Sequence, residues 1–434
     1  MNHSTKRIAA LLVAVGLAVA GLTACSSSSS SGTDKGKTLD VAYWNYGPGA
    51  VTDNEALQKG FEKQNPGVKV TLTPIAGDGW GDYVANLAIL IASGKHPDIA
   101  FMASEGVKFL DQNNLLLPIN NYLKTDPEAK KIEADMAPSL LKAFSSGNDI
   151  ASLPNGFNDF VIYYNTTLFQ KAGIPAPTGD WTWPQFEAVA KQLTTNGTYG
   201  YAWTGTEIAP GVLPWIANQG GNLVGPNACS ATANSAPVEK TYTFLESLIK
   251  AGISPTPPAS NDLITDFENG KIAMFGAGRY VIPTMLGQGF KSFDITRYPT
   301  GSTYQTTLGA SGYPILKSSP NPDLAWKFQK YAASAAVQDA EIGTPTAPFD
   351  SVATLRSTAN KTVAAGIPPA NTKLYYDAVD NYKVLTPFPG PARYTQFAAA
   401  VLQDTQLIFG GDDTVAQGLD QMQKDLAAIV TCTN

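Results

Sequence analysis

The feature that most constrains the fold is a regular alternation of strand and helix patterns over residues 39–103. The predicted strands are residues 39–44, 68–72 and 99–102. Leu57 and Phe61 lie one helical turn apart between the first two strands, and Thr52 with Glu55 has capping-box spacing for the start of that helix. A second apolar helical stripe separates the other two strands. This order predicts a parallel α/β sheet.

Polar and aromatic residues follow the predicted strands, where ligands of such sheets bind. Asn45 and Tyr46 follow the first strand, and Glu105 follows the third. Because the carboxyl ends of parallel strands meet at one edge, we expect these side chains to line a binding site. Trp80 is flanked by glycines that leave it little to pack against locally, which favours a position on the rim of the same site.

The stretch from residue 153 to 167 marks a change of structural unit. Its Pro-Asn-Gly triplet at 154–156 predicts a turn, and the apolar run at 160–164 predicts a buried strand. A short helix from Thr166 is stopped at Gly173. Later helical stripes, including one through Val238 and Tyr242, predict a second α/β unit.

The amino terminus has the order of an export signal. Lys6 and Arg7 precede an apolar run at 8–20, and small residues lead to Cys25. We interpret residues 1–24 as a lipoprotein signal peptide, Cys25 as the lipidated residue and 25–38 as a serine-rich tether. The alternative is an ordinary secretory signal with an incidental cysteine.

Charge and cysteine content narrow the range of partners. Beyond residue 24 there are 28 basic and 36 acidic residues, a net charge of −8, which argues against nucleic acid. Only Cys229 and Cys432 follow Cys25. In an exported chain these two form a disulfide or remain buried free thiols.

No pattern for catalysis or for a cofactor is present. His96, the one histidine beyond the signal, lies in a predicted turn, where a surface role is the common one. Serine or cysteine nucleophiles with a histidine base are therefore poorly supported. There is no metal-ligand spacing, and the glycines near residues 32–38 lack a preceding strand. We expect no enzyme activity, no metal and no cofactor.

Three ordered motifs resemble the sugar-binding family of extracellular solute-binding proteins, to which maltose-binding protein belongs. The first motif runs from Tyr164-Asn165 through Thr182-Trp183 to Phe186; the second is Phe267, Gly270-Lys271 and Ala273-Met274; the third is Asn321-Pro322, Ala325 and Phe328, followed by a turn at 343–345. Each motif is loose, but their order spans the chain from residue 39 to its end.

The resemblance implies a two-lobe periplasmic-binding-protein-like fold of the class II type, with a ligand cleft between lobes. Lobe 1 would comprise 39–150 and 298–350, and lobe 2 would comprise 151–297 and 351–434. It also implies a monomeric, lipid-anchored protein outside the cytoplasm. Such a protein would deliver a carbohydrate ligand, more specifically an oligosaccharide, to the permease subunits of an ABC importer. The ligand class is open, because a glycerol phosphodiester or another polar solute fits the same family.

Further site residues follow from this resemblance and from sugar chemistry. Sugars present apolar faces that pack on rings and hydroxyls that need planar acceptors and donors. The additional candidates are Asn158, Tyr280, Arg393 and Tyr394, which occupy positions comparable to ligand-contacting ones in the family, and Trp203, Glu207 and Tyr313, which are weaker. Arg279 stands where the family more often has a small residue or proline.

Two other functions remain open on the sequence. A secreted glycoside hydrolase could use two of the 36 carboxylates, since sequence does not measure their separation. A surface lipoprotein that binds another protein and takes no part in transport is the second alternative.

Overall fold

The computed structural model describes residues 37–77, 79–226, 228–257, 262–340, 351–380, 385–387 and 390–431. The predicted signal peptide, Cys25, Cys432 and the turn at 343–345 lie outside these residues, as does the predicted tether except for Lys37 and Thr38. Within the described ranges, no helix is both long enough and apolar enough to cross a membrane.

The strands are short and are distributed along the chain. They are β1 Thr38–Asn45, β2 Lys69–Ala76, β3 Ile99–Ala100, β4 Met102–Ala103, β5 Ser145–Ser146, β6 Asp149–Ile150, β7 Pro154–Asp159, β8 Val161–Asn165, β9 Met274–Ala277, β10 Phe293–Thr296, β11 Thr306–Gly312 and β12 Leu385–Pro387.

Helices separate most of these strands. They are α1 Pro48–Gln64, α2 Trp80–Ala92, α3 Val107–Gln112, α4 Asn120–Thr125, α5 Pro127–Ala134, α6 Pro138–Ala143, α7 Thr166–Ala172, α8 Trp183–Leu193, α9 Ile208–Gly211, α10 Leu213–Asn218, α11 Ala236–Lys250, α12 Leu263–Glu268, α13 Ile282–Gly287, α14 Pro322–Ala332, α15 Ala335–Ala340, α16 Arg356–Ala364, α17 Lys373–Asp380, α18 Tyr394–Gly410 and α19 Val415–Ile429. Two short 3-10 turns occupy Ser104–Gly106 and Arg279–Val281.

The first sheet has the order β2-β1-β3 and is parallel, which confirms the expected α/β sheet. The expected helix between its first two strands is α1, but the predicted capping box at Thr52 and Glu55 is wrong. The helix already begins at Pro48, because proline has the backbone angle of a first helical turn. Thr52 lies inside it and donates a hydrogen bond to the carbonyl of Pro48 at 3.0 Å.

The second sheet has the order β10-β8-β9 and is antiparallel. Its central strand β8 is buried throughout, as the apolar run predicted. The Asn165 side chain accepts hydrogen bonds from the first turn of α7, and Gly173 ends that helix in the left-handed conformation, with φ 67°. The predicted strand-then-helix order at 160–173 is therefore confirmed.

A third sheet joins the other two. Its strand β11 pairs with β12, β4 and β7, and only Phe101 separates β4 from β3, while only Phe160 separates β7 from β8. The turn predicted at 154–156 is wrong, because these residues begin β7. Gly156 serves close packing there: a Cβ atom at this position would lie 2.5 Å from the Cβ of Ser351.

Three groups of buried side chains form the core. The Trp215 cluster includes Phe186, Trp203, Trp215, Tyr242, Phe397 and Leu419. The Tyr83 cluster includes Ala42, Tyr83, Leu87, Leu110, Tyr163 and Phe275. The Phe61 cluster includes Val41, Phe61, Ile315, Tyr313 and Phe328. The first two clusters hold most of the helices that approach the candidate site.

Candidate functional site

Aromatic rings gather where the first sheet ends. Tyr46 follows the last residue of β1 and is 47% exposed, and its ring lies 5.3 Å from that of Trp44. The Trp44 ring is in turn 5.9 Å from Trp80, which lies 5.2 Å from Tyr83. The Trp44 indole donates a hydrogen bond to the carbonyl of Gly77 at 3.0 Å, so the ring has a fixed orientation. We call Trp44, Tyr46, Trp80, Tyr83 and Phe101 the rim cluster.

Trp80 lies at the junction of two parts of the core. It is half-buried and packs against both the Trp215 cluster and the Tyr83 cluster. Its Nε1 atom is buried and has no hydrogen-bond partner among the described residues. Close by, the Thr395 hydroxyl donates to the carbonyl of Gly81 at 3.0 Å, which ties the start of α18 to the start of α2.

Two carboxyl groups and a tyrosine interact through their charges in this part of the protein. Burial raises the pKa of Glu105 to about 7. Hydrogen bonds from its own backbone and from Ser104 oppose this rise in pKa, and the charge of Glu207 adds to it. Burial likewise raises the pKa of Glu207. The pKa of Tyr394 is raised by burial and then by both carboxylates, which indicates that the three groups lie near one another.

The backbone holds this arrangement closely. Glu105 lies in the 3-10 turn that follows β4, and Glu207 immediately precedes α9. A Cβ atom at Gly390 would lie 2.4 Å from the carbonyl oxygen of Glu105, so only glycine permits this approach. Tyr394 opens α18 one turn later and is buried.

Tyr280 and Asn158 lie together at the end of β9. The Asn158 side-chain oxygen accepts a hydrogen bond from the backbone N–H of Arg279 at 2.8 Å. At Gly278 a Cβ atom would lie 2.9 Å from both that oxygen and the Tyr280 ring. Tyr280 is half-buried and, like Trp80, packs against both the Trp215 and the Tyr83 clusters. The Arg279 guanidinium donates to the carbonyl of Ser351 at 3.2 Å.

Two other predicted site residues are almost fully buried. Trp203 is 1% exposed, and its ring stacks with Tyr201 and meets Phe409 edge-on. Tyr313 is 2% exposed, and its hydroxyl donates to the Asn54 side chain at 3.1 Å. Both rings present almost no surface to a ligand, so we leave them out of the candidate site. Arg393 is exposed immediately before α18.

Sequence reasoning missed part of the rim cluster. Trp44 lies on β1, where an aromatic residue usually belongs to the core, yet this residue is only half-buried. Phe101, between β3 and β4, has its ring 6.4 Å from Trp80. The signal for both was available in principle, because each lies at the carboxyl end of a parallel strand.

A disulfide, a small cavity and the arrangement of potential metal ligands complete the description of this part of the protein. Cys229 is disulfide-bonded, and both cysteines that could pair with it lie outside the described residues. A cavity of about 60 Å³ adjoins Glu207, Thr405 and Phe409. Among the residues described, no group of three or more His, Cys, Asp or Glu side chains is arranged to hold a metal ion.

Comparison with known proteins identifies the fold and the family. The fold is that of two-lobe periplasmic binding proteins with a cleft between the lobes: an ABC substrate-binding protein of Listeria monocytogenes, solved with cycloalternan, has a TM-score of 0.78 at 23% identity, covering 90% of this chain and 98% of that one. The profile described as bacterial extracellular solute-binding protein matches residues 46–339. The chain therefore belongs to this family, whose members are binding proteins that act outside the cytoplasm.

Two relatives have names that state a ligand. The maltodextrin-binding protein of Bacillus subtilis is 24% identical over 347 residues, which cover 75% of this chain and 76% of the relative. The multiple sugar-binding protein of Streptococcus mutans is 22% identical over 356 residues, which cover 75% and 78%.

Proposed function

We propose that this protein captures an oligosaccharide in its cleft and delivers it to the permease of an ABC importer. The observation that carries the proposal is the rim cluster beside two carboxyl groups. Rings such as Tyr46 and Trp80 offer flat apolar faces to the C–H face of a sugar, and Glu105 and Glu207 accept hydrogen bonds from hydroxyls. Relatives named for sugars and maltodextrin support the same ligand class.

The proposed ligand-binding residues are Asn45, Tyr46, Trp80, Glu105, Asn158, Glu207, Tyr280, Arg393 and Tyr394. The packing of both Trp80 and Tyr280 against the Trp215 and Tyr83 clusters supports this set. Closing the cleft would remove water from the rings and hydroxyls, so that each hydrogen bond contributes more to affinity. The lobe limits given above, 39–150 with 298–350 and 151–297 with 351–434, belong to this proposal.

Attachment to the membrane is a separate part of the proposal. It rests on the sequence before Cys25, which has the order of a lipoprotein signal. The proposed protein is a monomer tethered through the lipidated cysteine. Pairing of Cys229 with Cys432 is supported by α19, whose Gln423 side chain bonds the backbone of Ala231 at 3.1 Å and of Ala233 at 2.7 Å, close to Cys229 in sequence.

A thermal-shift screen of monosaccharides and oligosaccharides tests the ligand class. A ligand at 100 times its Kd adds about 2.7 kcal/mol to the free energy of unfolding, which gives a clear rise in Tm. The variant Glu105→Gln should lose most of the shift, whereas Glu246→Gln, a half-buried carboxyl on α11, should keep it. Equal shifts in both variants would show that the candidate site is misplaced, and no shift with any sugar would contradict the ligand class.

One observation favours a second candidate, the glycoside hydrolase. Glu105, with its pKa raised to about 7, next to Glu207 resembles the acid and nucleophile pair of such enzymes. We propose that the pair binds and does not cleave, in keeping with a family of binding proteins. Chromatography of an oligosaccharide incubated with wild type at pH 5 to 7 decides this: a product that disappears in Glu105→Gln would identify an enzyme.

A further inference from the structure

Lys108 connects helix α3 with a turn near Cys229, and these two segments pack against different core clusters. It lies in the first turn of α3, whose Val107 and Leu110 are buried in the Tyr83 cluster. Its Nζ atom lies 3.4 Å from the carbonyl oxygen of Ala228 and 3.6 Å from the sulfur of Cys229. Ala228 packs against the Trp215 cluster. The contact therefore joins segments that are 120 residues apart in sequence, and by the proposed lobe limits it crosses from lobe 1 to lobe 2.

The segment that receives Lys108 is held in place from several sides. We call residues 224–231 without residue 227 the receiving turn. Val224 and Ala231 form a β-bridge at its base, and the N–H of Gly225 donates to the carbonyl of Ser230 at 2.9 Å. Gln423 of α19 donates to the carbonyl of Ala231 at 3.1 Å. The disulfide at Cys229 adds a covalent constraint.

The backbone of Ala228 has an unusual conformation that presents its carbonyl to Lys108. Its φ is +50°, in the left-handed region that residues with a Cβ atom rarely adopt. Its N–H donates to the carbonyl of Gly225 at 2.8 Å, so the conformation is held within the receiving turn. A disfavoured backbone persists where its surroundings fix it, and such positions concentrate at functional contacts.

Lys108 lies close in sequence to Glu105, which relates its contact with Ala228 and Cys229 to the candidate site. Glu105 and Lys108 lie three residues apart on the continuous turn formed by Ser104–Gly106 and α3. Glu105 faces the site, whereas Lys108 reaches the receiving turn. Burial lowers the pKa of Lys108, which indicates a partly desolvated ammonium group, and a charged hydrogen bond is stronger in such surroundings.

We propose that Lys108 and the receiving turn form a latch that holds the cleft closed, so that Lys108 determines how fast a bound ligand leaves without touching it. The link to ligand release rests on the proposed function. The contact between Lys108 and the receiving turn does not rest on it, because it joins described residues, whereas its place across the cleft rests on the proposed lobe limits.

The first test needs no ligand. The protein is acetylated with a dilute reagent, and modification of each lysine is followed by mass spectrometry. Lys108 should react at least about fivefold more slowly than the exposed Lys95, because its contact with the receiving turn shields the nitrogen by more than its lowered pKa activates it, and reduction of the Cys229 disulfide should narrow this difference. Equal rates at Lys108 and Lys95 in the oxidised protein would overturn the latch.

The second test measures ligand exchange by stopped-flow fluorescence, with maltotriose as the probe. Lys108→Met keeps the aliphatic stem and should raise the dissociation rate about tenfold, the effect of one lost charged hydrogen bond, while the association rate changes less than about twofold. Lys108→Arg should restore most of the slow release, and Lys95→Met should match wild type. An unchanged dissociation rate in Lys108→Met would refute the role of Lys108.

The two tests separate the two proposals. If wild type binds neither maltotriose nor any sugar of the thermal-shift panel, the proposed function fails, and the acetylation rates still decide whether the latch forms. If sugars bind but Lys108 is modified as fast as Lys95, the latch fails and the proposed function stands.

Discussion

Two groups of aromatic side chains in this protein look alike in the sequence and differ in their surroundings. Around Trp215, the rings of Phe186, Tyr201, Tyr298 and Trp183 lie 5.1 to 5.5 Å away, and Trp215 is 0% exposed. In the rim cluster the ring distances are similar, but Tyr46 is 47% exposed. The comparison shows that ring contacts alone do not separate a core cluster from one that reaches the surface.

Indole hydrogen bonding differs within each group and does not separate them, because the buried Nε1 atoms of Trp183 and Trp203 in the Trp215 cluster also lack a partner among the described residues. The Trp215 indole donates to the Tyr201 hydroxyl at 3.0 Å, so the polar atom is satisfied inside the core. The buried Nε1 of Trp80 has no such partner among the described residues. An orphaned donor costs free energy unless something else accepts from it, and a ligand hydroxyl is one group that could do so.

The largest effect is expected for Trp215→Ala. Removing a ring that is surrounded on all sides leaves a cavity, so the free energy of unfolding should fall by about 4 kcal/mol. Urea denaturation followed by circular dichroism measures this loss. A loss below about 2 kcal/mol would mean that the Trp215 cluster is less tightly packed than the ring distances indicate.

Trp80→Ala should affect binding more than stability. The half-buried ring contributes less to the core, so the loss in free energy of unfolding should be less than half of that for Trp215→Ala. Removing a stacking face should weaken sugar binding by about 2 kcal/mol, or ~30-fold in Kd. Isothermal titration calorimetry gives the affinity. If stability falls as far as in Trp215→Ala while affinity is retained, Trp80 belongs to the core.

The contrast between these groups explains what the sequence could and could not predict. The strand-end positions of Tyr46 and Glu105 could be predicted from the sequence, because a parallel sheet brings the carboxyl ends of its strands together whatever the details of packing. Trp80 and Trp203 were both candidates, Trp203 the weaker one, but their burial could not be predicted, because it depends on which distant helix covers each ring. Trp203 is covered by Phe409 of α18, about 200 residues away.

The same reason accounts for the errors in the fold. The local sequence patterns were sufficient to predict β1, β8 and α7, because each of these elements is encoded within a few residues. The triplet at 154–156 has turn composition but becomes part of β7, because it pairs with β11, more than 150 residues later. Long-range pairing of this kind leaves little trace in the composition of either strand.

A series of binding measurements at different pH tests whether the Glu105 carboxyl group contacts the ligand. The pKa of Glu105 is raised to about 7, so this group is protonated at pH 5 and ionised at pH 8. A sugar hydroxyl that donates to the carboxylate stabilises the ionised form. Affinity should therefore rise about tenfold from pH 5.5 to 8, with release of up to one proton per ligand bound.

Calorimetry in buffers of different ionisation enthalpy measures this proton release, and Glu105→Gln should abolish both the release and the pH dependence. For the unliganded protein the sign is opposite. A carboxyl whose folded-state pKa is raised makes folding less favourable as pH increases, so the contribution of Glu105 to stability is lost between about pH 4.5 and 7. An affinity that falls with pH would mean that the protonated acid is the binding form.

The smallest effect comes from a matched pair of tyrosines. Tyr46 and Tyr199 are 47% and 42% exposed, so neither contributes much to the core, and replacing either by alanine should change Tm only slightly. The Tyr46 ring meets the Trp44 ring edge-on within the rim cluster, whereas Tyr199 is paired with Ile272 in a backbone bridge. Tyr46→Ala should weaken sugar binding by about 1 kcal/mol, or ~5-fold in Kd, and Tyr199→Ala should leave it unchanged. Because exposure is nearly equal in the two residues, a difference in Kd measured by calorimetry reports the location of the ring, and equal values would mean that the rim cluster does not contact the sugar.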